Sequence, residues 1–309
     1  MYDYSIILLI FKLLLFFYIK LEYNFDVNIV FITWRFIMSV KKLFISADIE
    51  GVNNIATWDE TELKEQEYAY FRKQMTEEVK RACIAAHEAG VEEILVKDAH
   101  DYARNIIFSE LPDYVKLHRG WEGGPCSMMA GLDESFDACM FIGYHSPSRS
   151  DGNPLAHTMN TRISYVKING EIASEFYINS LYASYLGVPT AFLSGDANLT
   201  KQVKEKNSNI ETVATKEGVH GAVISRHPNI TNKEIEDTVK KALNKGLCSD
   251  TIPISINNAD YQKGLQYIES NRSYKCFPKD ARLSEYKAQL IEKEAYEVGE
   301  LTKKLFEHV

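Results

Sequence analysis

Short apolar runs alternate with amphipathic segments over the first two thirds of this chain. The runs at residues 43–47, 93–96, 138–143 and 190–194 have the length and composition of buried strands. Between the first two, apolar residues recur at helical spacing from Tyr68 to Ala86, and Gly90 follows. A second helix is expected over residues 173–186. This pattern predicts an α/β fold with a mostly parallel sheet flanked by helices.

The pattern after residue 200 predicts a smaller C-terminal α/β portion, which we assign to residues 201–309, following a main domain at 38–200. Strands are expected at residues 212–215 and 251–256. Helices are expected near 199–205, from an N-cap at Asn232 to Leu243, and over a charged amphipathic tail at 284–308.

Residues 1–37 differ from the rest and are interpreted as an N-terminal extension rather than a domain. Ser5 to Ile19 is an apolar run of 15 residues interrupted by Lys12, shorter than the roughly 20 residues of a membrane-spanning helix. It resembles a signal or weak anchor segment, but no small-residue cleavage site follows it directly. We favour upstream translation with Met38 as the initiator, and therefore expect a cytoplasmic protein.

The composition narrows the classes of function. With 309 residues, 45% of them hydrophobic, the chain can bury a large core. A net charge of −8 without a long basic run argues against a nucleic-acid partner. The 5 cysteines are scattered and odd in number, so we expect buried reduced thiols and neither a disulfide framework nor a thiolate zinc site.

Metal-ligand residue types follow three of the predicted strands. Asp48 and Glu50 come after the first strand, Asp98 and His100 after the second, and His145 after the third. Carboxyl ends of parallel strands meet at one edge of a sheet, where sites assemble. Each signal alone is weak, but together they predict a metal site, and oxygen-rich ligands with imidazoles suit Zn²⁺ or Mn²⁺.

The segment Ser46 to Gly51 (SADIEG) resembles the SxDxEG signature of the zinc-dependent D-aminopeptidase family, typified by a bacterial dipeptide-transport-operon enzyme. The family's other landmarks follow in order over roughly residues 41–260. They are a D-[SA]-H segment at Lys97–His100, a GYH segment at Gly143–His145, a histidine segment at Ala156–Thr158 and a glutamate-bearing helix at Ser174–Asn179.

The resemblance implies a set of roles for these residues. Two zinc ions per subunit would be bound by Asp48, Glu50, His100, His145 and Glu175, with Asp48 as the bridge and His157 as the catalytic candidate. Asp98, Asp196 and Lys216 are candidates for supporting the ligands. The family pattern of Gly-Asp-Asp appears here as Gly195-Asp196-Ala197, so any role of its second acidic residue is absent.

The implied activity is that of a metal-dependent aminopeptidase, which releases N-terminal residues of short peptides with zinc-activated water. A preference for D-amino acids and a homo-oligomer, a decamer in the family, rest on the resemblance alone. Two other functions stay open. One is metal-dependent hydrolysis of another bond, such as a phosphoester, although few basic residues lie near the motifs. The other is a non-catalytic peptide-binding protein.

Overall fold

A seven-stranded sheet organises the described part of the molecule. The computed structural model describes residues 40–124, 126–168 and 170–245. Its strands are β1 (Lys42–Ala47), β2 (Glu93–Asp98), β3 (Val115–His118), β4 (Ala138–Tyr144), β7 (Thr190–Asp196), β8 (Glu211–Val219) and β9 (Ala222–Ser225). Their order across the sheet is β3-β2-β1-β4-β7-β8-β9. All neighbouring pairs are parallel except β8 with β9, so the predicted fold class is confirmed.

Helices cover both faces of this sheet. They are α1 (Tyr68–Glu88), α2 (Glu175–Tyr185), α3 (Ala197–Lys206) and α4 (Pro228–Asn244). Successive residues of β1 alternate between the two faces: Leu43 packs in the core that contains α1 and α4 residues, and Phe44 in the core with α2 and α3 residues. The central strands are therefore buried on both sides, which explains their nearly continuous apolar sequences.

The predicted start of the helix near residue 232 is wrong. Helix α4 begins at Pro228, and its N-cap lies five residues before the predicted one, at His227. The side chain of His227 is the N-cap and accepts a hydrogen bond from the backbone N–H of Asn229, while proline suits the first helical position because it has no N–H to satisfy. Asn232 lies inside the helix and is buried.

Two antiparallel elements were not predicted. Strand β9 pairs with the end of β8 at one edge of the sheet, and Ile224 on it is exposed. A small hairpin joins β5 (Lys167–Ile168) to β6 (Glu171–Ile172). Strand β9 was missed because four residues with a half-exposed pattern are too short to show a period.

Three predicted features lie outside the described residues. They are the strand at 251–256, the tail helix at 284–308 and the N-terminal extension. The division at residue 200 stays a prediction, although β8 and β9 continue the same sheet as β7. Within the described ranges, no helix has both the length and the apolar composition needed to cross a membrane.

Candidate metal centre

The carboxyl edge of the central strands carries a cluster of buried acids and imidazoles. Asp48 directly follows β1, His100 follows β2 and His145 directly follows β4. Glu50 lies in the turn after Asp48, and Glu175 is the first residue of α2, where a carboxylate interacts favourably with the helix dipole. All five side chains are buried, with His100 the most exposed at 8%.

Short distances join these side chains. Nδ1 of His100 lies 3.0 Å from Oε2 of Glu50 and 3.4 Å from Oδ1 of Asp48. Nε2 of His145 lies 3.5 Å both from Oδ2 of Asp48 and from Oε1 of Glu175. The five residues predicted from separate parts of the sequence therefore face one another in a single pocket.

The ligand atoms form overlapping groups with the spacing of metal sites. Asp48, Glu50 and His100 place their ligand atoms within 4.8 Å of one another, and so do Asp48, His145 and Glu175. We call these the His100 position and the His145 position. Because Asp48 belongs to both, its two oxygens can face two neighbouring cations. A third group, Glu50, His145 and His157, meets the same distance.

Backbone carbonyls orient all three histidines of the cluster. A carbonyl oxygen only accepts, so the ring nitrogen beside it carries the proton. In His100 this nitrogen is Nε2, 3.1 Å from the oxygen of Thr61, while in His145 and His157 it is Nδ1, close to the oxygens of Ser146 and Leu155. The opposite nitrogen of each ring faces the carboxylates, and in the neutral ring it carries the lone pair that metal-binding histidines use.

Several of these facing atoms have no hydrogen-bond partner among the described residues, namely Oδ2 of Asp48, Oε2 of Glu50 and Nε2 of His145. Buried polar atoms in proteins are nearly always paired, so three unpaired atoms at one point need an explanation. A divalent cation would satisfy all of them. The donor set therefore fits a metal of the zinc type, with oxygen and imidazole ligands.

Electrostatics in the cluster are consistent with a binding site for positive charge. Burial raises the pKa of Asp48, and the neighbouring Glu50 raises it further. Burial lowers the pKa of His145, but the carboxylates of Glu175, Glu50 and Asp48 together outweigh it and raise the pKa to about 10. The field that holds a proton on His145 would equally attract a metal ion, whose binding releases that proton.

His157 differs from the other histidines because it lies at the rim of the cluster. Its Nε2 is 3.5 Å from Oε1 of Glu175 and 3.8 Å from Oε1 of Glu50. Its ring stacks on His145 at 4.3 Å and meets the ring of Trp58 edge-on. Burial and the positive charge of His145 lower the pKa of His157, so a neutral imidazole with a free Nε2 is favoured near pH 7.

Two glycines allow the strand ends to approach closely. A Cβ atom on Gly51 would lie 1.7 Å from the carbonyl oxygen of Tyr144, and one on Gly143 would lie 2.3 Å from that of Asp48. Gly143 also has a φ of +70°, which is unfavourable for other residues. The glycines of the SADIEG and GYH segments are therefore explained by backbone packing beneath the ligands.

The sequence profile of the D-aminopeptidase family, peptidase family M55, matches residues 41–300. The chain belongs to this family. The resemblance inferred from the short motifs is thereby confirmed over most of the chain.

Individual D-aminopeptidases agree with the profile. A D-aminopeptidase of Bacillus subtilis strain 168 is 29% identical over 183 residues, which are 59% of this chain and 66% of that protein, slightly under two thirds. A solved structure, described as the zinc-dependent D-aminopeptidase DppA from Bacillus subtilis, a self-compartmentalizing protease, superposes with a TM-score of 0.64 at 28% identity. The superposed region covers 69% of this chain and 78% of the DppA chain.

Asp98 lies beside the cluster and does not face it in this D-aminopeptidase family member. Its carboxylate accepts hydrogen bonds from the backbone N–H groups of Asn105 and Ile106 and from Nδ2 of Asn105. The same Nδ2 donates to the carbonyl oxygen of His100 at 2.8 Å. Asp98 therefore holds the loop that carries His100.

Asp196 and Lys216 lie behind the opposite side of the cluster. Asp196 is the N-cap of α3 and accepts from the backbone N–H and hydroxyl of Ser146, next to His145. Nζ of Lys216 donates to the carbonyl oxygen of Glu50 at 2.6 Å, and Nδ2 of Asn153 donates to the same oxygen at 2.9 Å. These contacts place the backbone of the ligands.

Sequence reasoning missed three groups that shape the cluster. They are the carbonyl of Thr61, which orients His100, the ring of Trp58 against His157, and the hydroxyl of Tyr144 behind the strands. Tyr144 lies within the GYH segment, so its place beside a ligand was visible. No pattern marks Thr61 or Trp58, because their contacts join loops distant in sequence.

Proposed function

We propose that the protein is a zinc-dependent aminopeptidase that hydrolyses short peptides from their N-terminus. The supporting observation is the pair of overlapping ligand groups that share Asp48, with unpaired ligand atoms aimed at common points. Family membership supports the peptide substrate, and the relative DppA is described as zinc-dependent. When bound, zinc supplies a Lewis acid and lowers the pKa of water to about 7.

In this proposal the five ligand residues divide between two zinc positions. Asp48 would be a ligand at both, Glu50 and His100 would complete the His100 position, and His145 and Glu175 would complete the His145 position. The carboxylates hold positive charge in a buried pocket, where electrostatic interactions are stronger than in water. Asp98, Asp196 and Lys216 keep the ligand backbones in place.

His157 is proposed as the catalytic acid or base. Its Nδ1 proton is donated to the carbonyl of Leu155, so Nε2 is the atom that takes up and returns a proton. Stacking on His145 and the edge of Trp58 fix the plane of the ring. A neutral ring at pH 7 is the form that can accept a proton.

Selectivity for a free N-terminus would come from the same acids. The α-amino group of a peptide is cationic or metal-binding, and Glu50 or a zinc ion at its position would hold it. An N-acetylated peptide lacks this group and is expected to be a poor substrate. The preference for D-residues, the decameric assembly and a cytoplasmic location are further proposals that rest on the family resemblance.

The buried lysines near the cluster weigh against a phosphoester substrate. Nζ of Lys97 donates to the carbonyl oxygens of Asp98 and Gly120, and Nζ of Lys216 donates to those of Glu50 and Ile55. A phosphate is usually held by cationic side chains. Both lysines are directed to the backbone instead, so the described pocket favours a peptide.

One experiment separates the three functions. The purified chain would be analysed for zinc and assayed, with zinc or with chelator, on D-Ala-D-Ala, L-Ala-L-Ala, N-acetyl-D-Ala-D-Ala and p-nitrophenyl phosphate. We expect two zinc ions per chain and zinc-dependent cleavage of an unblocked dipeptide. Equal activity on the acetylated peptide would contradict the aminopeptidase assignment, and phosphatase activity alone would support the rival hydrolase.

The role of His157 has its own test. His157→Gln should lower kcat by about 10²- to 10⁴-fold, the usual contribution of general acid–base catalysis, while zinc content stays the same. A loss of one zinc ion together with activity would instead identify His157 as a ligand. Binding of an unblocked dipeptide by a fully zinc-loaded protein without turnover would favour the non-catalytic alternative.

A further inference from the structure

A chain of buried hydrogen bonds lies directly behind the His145 position. Oγ of Ser46 donates to the carbonyl oxygen of Met128 at 2.8 Å, which uses its only proton. The hydroxyl of Tyr144, 2.7 Å away, must therefore donate to Ser46, and it accepts from Nδ2 of Asn179 at 3.1 Å. The direction of donation, from Asn179 through Tyr144 and Ser46 to Met128, is thus determined.

Each side chain in this series of hydrogen bonds belongs to a residue that is close in sequence to one ligand residue. Ser46 is two residues before Asp48 on β1, so both lie on the same side of an extended segment. Tyr144 immediately precedes His145. Asn179 is one helical turn after Glu175 on α2. The hydroxyl of Tyr144 therefore joins the three elements that present the His145 position.

The orientation of Tyr144 is built into β4. Residues 141 and 144 would point to opposite faces of a regular strand. Here the pairing of β4 with β7 is irregular between Phe141 and Tyr144, and Gly143 has a φ of +70°. As a result the Phe141 and Tyr144 rings pack on the same face at 5.1 Å, and the tyrosine hydroxyl reaches Ser46.

The His100 position is held by other groups. Its histidine donates to the carbonyl of Thr61, and the loop behind it is fastened by Asn105, which in turn accepts from the hydroxyl of Tyr68 at 2.6 Å. Two buried tyrosines, Tyr144 and Tyr68, thus support opposite halves of the cluster. Both are nearly inaccessible, at 0% and 3% exposure.

We propose that Tyr144 is a positioning residue for the His145 position, setting the distances among Asp48, His145 and Glu175 through its hydroxyl. This inference rests on the proposed function. Outer partners of metal ligands typically contribute 10- to 100-fold to metal affinity. Loss of the hydroxyl should therefore weaken zinc at the His145 position while the His100 position is largely retained, because only Asp48 is common to both.

The test compares Tyr144→Phe with wild type and with Tyr68→Phe as the matched control. Both variants remove one buried hydroxyl and keep the ring. Zinc occupancy of each position would be measured by anomalous X-ray diffraction on crystals equilibrated with buffered free zinc. Solution dissociation constants would come from competition with a chromogenic chelator.

We expect Tyr144→Phe to weaken zinc at the His145 position by about tenfold, and Tyr68→Phe to leave that position at wild-type occupancy. Should Tyr144→Phe fail to fold, Ser46→Ala removes the acceptor of the same hydroxyl and must show the same selective loss. Equal losses in Tyr68→Phe and Tyr144→Phe, or wild-type occupancy in Tyr144→Phe, would overturn the inference alone. A wild-type protein without zinc at either position would overturn the proposed function as well.

Discussion

Asp48 and Asp98 stand at nearly matching positions of neighbouring parallel strands, yet their carboxylates meet different partners. Asp98 accepts three hydrogen bonds from N–H groups. Asp48 accepts one, from the backbone N–H of Ile49, and its Oδ2 has no hydrogen-bond partner among the described residues. The same residue type, at the same edge of the sheet, is structural in one place and open in the other.

This difference shows how a fold can keep one buried carboxylate available for metal binding while others are hydrogen-bonded. The N–H donors occupy three of the roughly four lone-pair sites of the Asp98 carboxylate, which leaves little for a metal. Asp196 is likewise satisfied by Ser146 and Leu199. Asp48 instead faces Nε2 of His145, a nitrogen that can bind a metal once it gives up its proton. Hydrogen bonds from N–H and O–H donors, rather than burial or strand position, separate the two kinds of acid.

The largest effect is expected from Asp48→Asn. This substitution removes the charge shared by both metal positions and replaces one ligand oxygen with an amide nitrogen. Supporting residues of metal sites contribute up to about 100-fold, so loss of a bridging ligand should lower zinc affinity and kcat/KM by more than about 100-fold. Zinc content and dipeptide hydrolysis measure both. Retention of two tightly bound zinc ions would contradict the bridging role.

The carboxylate of Glu78 is intermediate between those of Asp98 and Asp48. Its Oε1 accepts from the backbone N–H of Asn53, its Oε2 has no hydrogen-bond partner among the described residues, and burial raises its pKa from 4.5 to about 7. Because the folded state holds this proton more tightly, its contribution to stability is present below pH 4.5 and is lost as the pH rises to about 7.

Glu78→Gln should therefore gain stability relative to wild type as the pH rises, by about 3 kcal/mol in total. Urea unfolding of both proteins at a series of pH values from 4 to 8 measures this difference. Glu77→Gln on the same helix, a partly exposed residue paired with Arg81, is the control. A pH-independent difference between Glu78→Gln and wild type would refute the raised pKa.

Zinc binding should raise the free energy of unfolding. The increase should depend on the carboxylate of Asp48 and not on that of Asp98. Binding to the folded state alone adds about 2.7 kcal/mol at a free zinc concentration 100 times the dissociation constant. Thermal unfolding with zinc and with chelator would show this increase in wild type and in Asp98→Asn. In Asp48→Asn the increase should largely disappear. An equal increase in all three proteins would place zinc elsewhere.

The smallest expected effect is that of Asp98→Asn in the presence of zinc. One oxygen becomes an amide nitrogen facing N–H donors, so at least one charged hydrogen bond is lost. We expect about 2 kcal/mol of destabilisation in urea unfolding, with a change in zinc affinity well below that of Asp48→Asn. Zinc loss as large as in Asp48→Asn would mean that the two acids are not functionally distinct.

Much of the site was predictable because each ligand follows an element with a clear pattern. The runs before Asp48 and His145 are apolar enough to predict buried strands, and the carboxyl ends of parallel strands share an edge. The residue pattern alone did not separate Asp98 and Asp196 from Asp48, and only the family resemblance marked them as supporting residues. Their partners come from loops whose conformation no local period reveals. The same limit explains the wrong start of α4, where His227 caps the helix through its side chain.

Hydrophobic periodicity and short motifs are local properties, and they were sufficient to assign the α/β class, the family and the residue types available for metal binding. Contacts in the folded protein were needed to show which acids stay open, which nitrogen of each histidine faces the carboxylates, and that Tyr144 joins three ligand-bearing elements. Those features depend on contacts between segments far apart in the chain, and such contacts exist only once the sheet has brought the segments together.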